Sequence, residues 1–126
     1  MVASAVLFAK DLEKVTTFYT AVTGLEQIDW IDGGFCLLGE RQFRFYIVLI
    51  PSSISAVTHV EKPLKAREET PIKLVFSIDN IAHARLAAPN HGGIIFPPEQ
   101  EWEFGGSLRC DGVDPEGNVF QLAQPL

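Results

Sequence analysis

His59, His83 and His91 are the only imidazoles in this sequence, and Cys36 and Cys110 its only thiols. A divalent transition metal needs imidazole, carboxylate or thiolate donors that converge. The histidines offer no such set. His59 lies in a polar stretch, His83 in a helical pattern and His91 at that pattern's end, where surface or capping roles are the ordinary outcome. Each cysteine stands alone in a strand-like run, so both read as free, buried thiols. The polar residues inside apolar runs are more informative. In F43-R-F-Y-I-V-L-I50, Arg44, Tyr46 and Val48 share one face, while Phe43, Phe45, Ile47 and Leu49 share the other. Lys73 sits near the start of another apolar run and Gln121 in the closing one, V119-F-Q-L-A123. An ammonium has no lone pair for a metal, and a lone amide cannot hold one. Both can hydrogen-bond an organic ligand, although a lysine at a strand start also snorkels to solvent.

The chain has 126 residues, 47% apolar and 21% charged, a globular balance and one domain's worth of core. Its net charge is −6, and its ten Lys and Arg residues are scattered. A nucleic-acid binder shows a basic stripe, so neither nucleic acid nor a polybasic membrane attachment is expected. The opening MVASAVLFAKDLEK is too short for a membrane span and lacks a signal peptide's charged start, which predicts a cytoplasmic protein.

The elements that position these residues follow from periodicity. S4-A-V-L-F-A9 has strand length. Leu12, Val15, Phe18, Tyr19 and Val22 form a helical stripe, with Asp11 as N-cap and Gly24 as stop. Apolar runs at 25–31, 35–38 and 43–50 predict strands, joined by Asp32-Gly33-Gly34 and by a weaker turn at Gly39-Glu40-Arg41. Residues 51–70 are polar and read as a linker with room for a helical turn. The pattern then resumes: a strand over 72–78, a helix over 80–88 capped by Asp79 or Asn80, and a short strand at 94–96. A loop over 97–106, a strand over 107–110, the turn D114-P-E-G-N118 and the closing strand complete it. Within the loop, Glu99, Glu101 and Glu103 alternate as a solvated face would.

The two halves repeat. A shift of 69 carries Asp11 onto Asn80, Gly24 onto Gly93 and Ser4 onto Lys73, and a shift of 75 carries Tyr46 onto Gln121. The six extra residues fall in the 97–106 loop. This is a duplicated βαβββ unit.

The opening S-A-V-L-F-A-K-D-L-E-K-V-T-T-F-Y-T-A-V-T-G-L-E and the closing D-P-E-G-N-V-F-Q-L resemble the vicinal oxygen chelate superfamily, the group of glyoxalase I, extradiol dioxygenases, fosfomycin-resistance enzymes and bleomycin-resistance proteins. The resemblance covers nearly the whole chain outside 51–70. It implies an α+β fold, with two βαβββ modules forming a curved mixed sheet around a cleft. Residues 1–126 are then one domain, with module 1 over about 1–51, a linker over about 52–70 and module 2 over about 71–126. Metal-using members would place mainly His and Glu at four slots, which here fall on Ser4, Tyr46, Lys73 and Gln121. These do not make a metal site, so no metal and no cofactor are expected. F104-G-G-S-L resembles the aromatic-Gly-Gly-Thr/Ser stretch of bleomycin-resistance-type proteins. Trp102 and Phe104 therefore either wall a flat ligand or pack the long loop down. Trp30 and Phe35 read as core or dimer contacts.

The expectation is a metal-free protein that binds a small organic ligand, an aromatic molecule or antibiotic, through Ser4, Arg44, Tyr46, Lys73, Trp102, Phe104 and Gln121, without catalysis. The alternative is a glyoxalase-like lyase or isomerase, or a dioxygenase, of metal-dependent or unorthodox kind. On resemblance, the chain is expected to form a homodimer. The acidic chain favours a cationic ligand, whereas Lys73 and Arg44 favour an anionic group.

Overall fold

The first strand, β1 (Ala3–Ala9), alternates: Ala5 and Leu7 pack against the core and Ala9 is buried, while Ser4, Val6 and Phe8 stay exposed. The computed structural model describes residues 3–40, 42–51, 53 and 60–126. Arg41, residue 52 and residues 54–59 of the central linker, His59 among them, lie outside the described residues. Helix α1 (Leu12–Thr23) starts at Asp11, whose side chain accepts from the Lys14 N–H at 3.0 Å. It ends at Gly24, in the left-handed region at φ 71°, whose N–H donates to the Thr20 carbonyl. Its buried face is the stripe Leu12, Val15, Phe18, Tyr19 and Val22, joined by Thr16.

Strands β2 (Glu26–Ile31), β3 (Phe35–Glu40) and β4 (Phe43–Leu49) complete the first module, in the order β1-β4-β3-β2. The second module has β5 (Val75–Ser77), α2 (Ile81–Ala87), β6 (Ile94–Ile95), β7 (Trp102–Phe104), β8 (Ser107–Val113) and β9 (Val119–Pro125). Its order is β5-β9-β8, with β6 and β7 both paired to β8. The equivalence extends to register. In module 1, β1 and β4 run parallel with Val6 opposite Tyr46, and in module 2, β5 and β9 run parallel with Val75 opposite Gln121. Those pairs are related by the same shifts of 69 and 75.

The core lies between helices and sheets. Phe45 and Ile47 are fully buried, as the alternation of β4 requires, and Arg44, Tyr46 and Val48 are half-buried on the opposite face. Phe76 of β5 joins the modules, with its ring 5.4 Å from Phe45, 5.7 Å from Tyr19 and 6.1 Å from Phe120. A fully buried Phe contributes about 1.5–3 kcal/mol, so this cluster alone outweighs the two caps, each worth about 1 kcal/mol.

Several elements depart from the periodicity. The expected turn at Gly39-Glu40-Arg41 comes later, because β3 continues through Glu40, which is opposite Phe43, with Gly39 paired to Arg44. A Cβ on Gly39 would come within 2.8 Å of Ile28 Cδ1 and 2.9 Å of the Phe43 carbonyl, so glycine is there for close packing. Strand β5 is shorter than the expected 72–78, because its ladder with β9 begins only at Gln121. The expected 97–106 loop contains a 3₁₀ turn at Pro98–Gln100 and all of β7. The cause is Gly105-Gly106: both have positive φ, 59° and 76°, the backbone of a two-residue hairpin that folds β7 onto β8. Glu101 departs from a solvated face, because it is mostly buried in a pair with Arg85 of α2.

Gly93 marks the tightest helix-to-strand approach. A Cβ there would sit 2.3 Å from Phe18 Cε2 and 2.4 Å from the Val113 carbonyl oxygen. Gly93→Ala is expected to cost about 2 kcal/mol in urea unfolding. A cost near zero would show that this contact opens freely.

Candidate functional site

The polar face of module 2 is built from one residue in two. On β8, Arg109 and Asp111 lie two apart and so share a face. Asp111 is opposite Gln121 on β9, and Arg109 is opposite Trp102 on β7. Lys73 Nζ donates to Asp111 Oδ2 at 2.8 Å, and Gln121 Nε2 donates to Asp111 Oδ1 at 3.2 Å. Arg109 Nη1 donates to Gln121 Oε1 at 2.9 Å. Arg109 Nε donates to the Phe104 carbonyl and to Ser107 Oγ, and its guanidinium lies 5.1 Å above the Phe104 ring. One chain of contacts thus runs Lys73–Asp111–Gln121–Arg109–Phe104. The Lys73 and Asp111 side chains keep 39% and 18% of their surface in solvent. A partly exposed pair of this kind contributes at most about 1 kcal/mol, so it can rearrange around a ligand at little cost.

Module 1 carries the other three expected residues. Ser4 and Arg44 are opposite each other across the β1–β4 ladder, and Tyr46 follows on the same face, its ring 6.2 Å from Phe35. Ser4 and Val6 line a groove of about 420 Å³ whose other wall is Thr70, Ile72, Leu74 and Val119. Arg44 lines a different hollow, of about 550 Å³, with Glu26, Glu40 and Ser77. Ser4 thus borders module 2, whereas the hollow of Arg44 is lined by module 1 apart from Ser77. The hydrogen-bonded constellation itself gathers only Lys73, Gln121 and Phe104 of the expected residues, with Trp102 alongside.

The same geometry tests the four slots as metal ligands. Asp111 offers carboxylate oxygens, but they accept from the Lys73 ammonium and the Gln121 amide, and a cation there would meet the Lys73 charge. Among the described residues, no group of three or more His, Cys, Asp and Glu side chains gathers at one place. This donor set does not fit a divalent cation. His83 lies on α2 and His91 ends the 3₁₀ turn that follows it. Burial, chiefly, raises the pKa of the Cys36 and Cys110 thiols, which keeps them protonated and poor nucleophiles.

A second polar cluster is buried and has a different role. Asp114 is fully buried and accepts from Tyr19 Oη at 2.7 Å, the Glu116 and Asn118 N–H groups, and Asn118 Nδ2. Glu116, also buried, accepts from the Lys10 and Asp11 N–H groups at 2.7 to 2.9 Å. The turn of module 2 thereby holds the entrance of α1 in module 1. Burial first, then the Asp114 and Glu116 charges, raise the Tyr19 pKa well above its ordinary value, so its hydroxyl stays protonated and donates. The sequence reading of D-P-E-G-N as a turn holds, but these cross-module bonds were not in it. Arg109 and Asp111 were missed for a different reason. Arg109 lay inside the expected strand over 107–110 without a partner to single it out, and Asp111 lay beyond it, because the periodicity ended at Cys110 whereas β8 runs to Val113 and puts both on the face of Gln121.

Among the described residues, no helix is long and apolar enough to cross a membrane. No protein-family model and no curated protein matches the chain. Solved structures do. The chain is similar to a glyoxalase/bleomycin resistance protein/dioxygenase family enzyme from Burkholderia phytofirmans, with a TM-score of 0.70 and 17% identity over 98% of this chain and 97% of the other. It is similar to a glyoxalase/bleomycin resistance protein from Albidiferax ferrireducens, with a TM-score of 0.68 and 17% identity over 100% and 98% of the two chains. A fosfomycin resistance protein from Listeria monocytogenes, solved with Mn(II), gives a TM-score of 0.63 and 15% identity over 99% and 88%. Two βαβββ modules with matching registers, together with these likenesses, give the chain the α+β fold of the glyoxalase/bleomycin resistance/dioxygenase proteins, the fold of the vicinal oxygen chelate superfamily.

Proposed function

We propose that this protein binds a small organic molecule on its open sheet face, without a metal and without chemistry, in the manner of a sequestering protein. The observation that carries this reading is the occupancy of Asp111. The carboxylate beside two of the four slots is held by an ammonium at 2.8 Å and an amide at 3.2 Å. A cation entering there would meet Lys73. The rest of the face suits an organic body: Val6, Phe8, Val75, Trp102 and Phe104 are exposed apolar surface beside a few polar groups. Ser4, Arg44 and Tyr46 supply the opposing polar groups from module 1. The same exposed surface supports a homodimer as the working form, and the reading places the protein in the cytoplasm.

The test is direct. Purified protein is expected to hold far less than one equivalent of Ni, Zn, Fe or Mn, and EDTA is expected to leave Tm unchanged. A library of antibiotics and aromatic metabolites is expected to contain binders. A ligand at ten times its Kd stabilises by about 1.4 kcal/mol, a rise of about 5 °C. Stoichiometric metal would favour a second reading, a metal-dependent lyase, isomerase or dioxygenase, for which the similar Mn(II)-containing fosfomycin resistance protein is the supporting observation.

A further inference from the structure

We infer that the ligand is a flat aromatic anion, a carboxylate, and that Arg109 binds its charged end beside Trp102 and Phe104; this rests on the binding reading above. Two other cations of module 2, Lys73 and Arg85, are compensated, whereas Arg44 of module 1 lines a separate hollow with Glu26 and Glu40. Lys73 pairs with Asp111, and Arg85 with Glu101. Arg109 meets only neutral acceptors: the Phe104 carbonyl at 3.3 Å, Ser107 Oγ at 3.0 Å and Gln121 Oε1 at 2.9 Å. Among the described residues, no carboxylate lies within ion-pair distance of its guanidinium. Asp111, two residues on along the same face, has its charge met by Lys73. Three neutral contacts fix the guanidinium plane through Nε and Nη1, leaving Nη2 as its free donor edge. A held planar fork loses little entropy on binding a carboxylate.

The apolar surroundings supply the second half of the recognition. Trp102 is opposite Arg109 in the β7–β8 ladder and 39% exposed, and Phe104 is 66% exposed. Large aromatic side chains left this open beside a positioned charge suit a ring with an anionic substituent. A cationic ligand is disfavoured, because Arg109 already lies 5.1 Å over the Phe104 ring. The acidity of the whole chain therefore does not set the ligand's sign. Local charge does, and here it is Arg109 left over after Lys73 and Asp111 cancel.

Three isosteric probes test this: 1-naphthoate, 1-naphthamide and 1-naphthylmethylamine, read by tryptophan quenching and by thermal shift. Naphthoate is expected to bind roughly tenfold or more tightly than the amide, since a hydrogen bond to a charged group is worth a factor of ten to a hundred. The amine is expected to bind most weakly. Arg109→Gln is expected to erase the preference for naphthoate while retaining the amide's affinity. Arg109→Lys, which keeps the charge without the fork, is expected to retain part of it. Equal binding of naphthoate and naphthamide, or a preference for the amine, overturns the assignment to Arg109 but leaves the binding reading standing. Failure of all three probes to bind overturns both. If Arg109→Gln folds poorly, the wild-type preference among the probes and its loss in high salt decide the matter alone.

Discussion

Asp114→Asn is expected to lower the unfolding free energy by about 4 kcal/mol and Tm by roughly 15 °C. Asp114 is fully buried, and its two oxygens accept four hydrogen bonds. Oδ1 serves the N–H groups of Glu116 and Asn118, and Oδ2 serves Tyr19 Oη and Asn118 Nδ2. Asparagine supplies one oxygen and replaces the other with an NH₂. Turned toward the Glu116 and Asn118 N–H groups the NH₂ faces two donors; turned the other way it regains only the Tyr19 hydroxyl, which can accept as well as donate, and still faces Asn118 Nδ2. Each buried donor left unpaired costs about 1–3 kcal/mol. A domain of this size has about 5–15 kcal/mol in all, so the variant should fold but unfold early. Tyr19→Phe removes one bond from the same carboxylate and should cost about 1–2 kcal/mol. It should cost much less in the Asp114→Asn background, because the two share a bond. Alkaline titration gives a second check. An unfolded tyrosine ionises near pH ~10, while Tyr19 in the folded protein holds its proton well above its ordinary value. The unfolded state therefore loses its proton first, and stability falls as pH rises past that of the unfolded group. Tyr19→Phe should lack this component. An Asp114→Asn variant within 1 kcal/mol of wild type would show that the cluster is not a support of the fold.

Glu116→Ala should cost about 3 kcal/mol, with a smaller loss for Glu116→Gln. Glu116 accepts the Lys10 N–H with both oxygens, at 2.8 and 2.9 Å, and the Asp11 N–H at 2.7 Å. These bonds fix the chain entering α1, and Asp11 is that helix's cap. Alanine strands two backbone N–H groups in a half-buried position and releases the cap's backbone. Glutamine keeps one acceptor, enough for the closer of the two donors. Because Glu116 belongs to module 2 and Lys10 to module 1, its loss should also loosen the packing of the modules. Hydrogen exchange should speed up at the start of α1 and across the 114–118 turn together, rather than at either site alone. Exchange confined to the turn would mean that the modules are held by their aromatic core without this strap.

The two polar clusters explain why a buried carboxylate and a half-exposed one in the same module have different meanings. Asp114 and Glu116 are buried and have every oxygen committed, to backbone N–H groups and, at Asp114 Oδ2, to the Tyr19 hydroxyl and Asn118 amide, so their energy goes into holding two modules together. Asp111 and Arg109 keep solvent contact, and apart from the Phe104 carbonyl their partners are side chains. That is the condition for meeting a ligand, since weak exposed contacts are replaced at low cost whereas buried ones are not.

The sequence alone determined the duplication and most of the elements, and for a local reason. Helical stripes and strand alternation depend on neighbours one to four residues apart, which is why the face of Phe45 and Ile47, the caps Asp11 and Asn80, and the shift relating Tyr46 to Gln121 were legible. The strand at Trp102–Phe104 was missed because its only local signal was a pair of glycines, whose turn becomes a hairpin only when β8 is present to receive it. Tertiary structure alone decided which polar groups meet. Lys73 and Asp111 are 38 residues apart, Tyr19 and Asp114 are 95 apart, and Lys10 and Glu116 are 106 apart. Carboxylates at 111, 114 and 116 look alike in a sequence. Only the folding of one module against the other buries two of them under α1 and leaves the third on the open face, beside the arginine that we assign to the ligand.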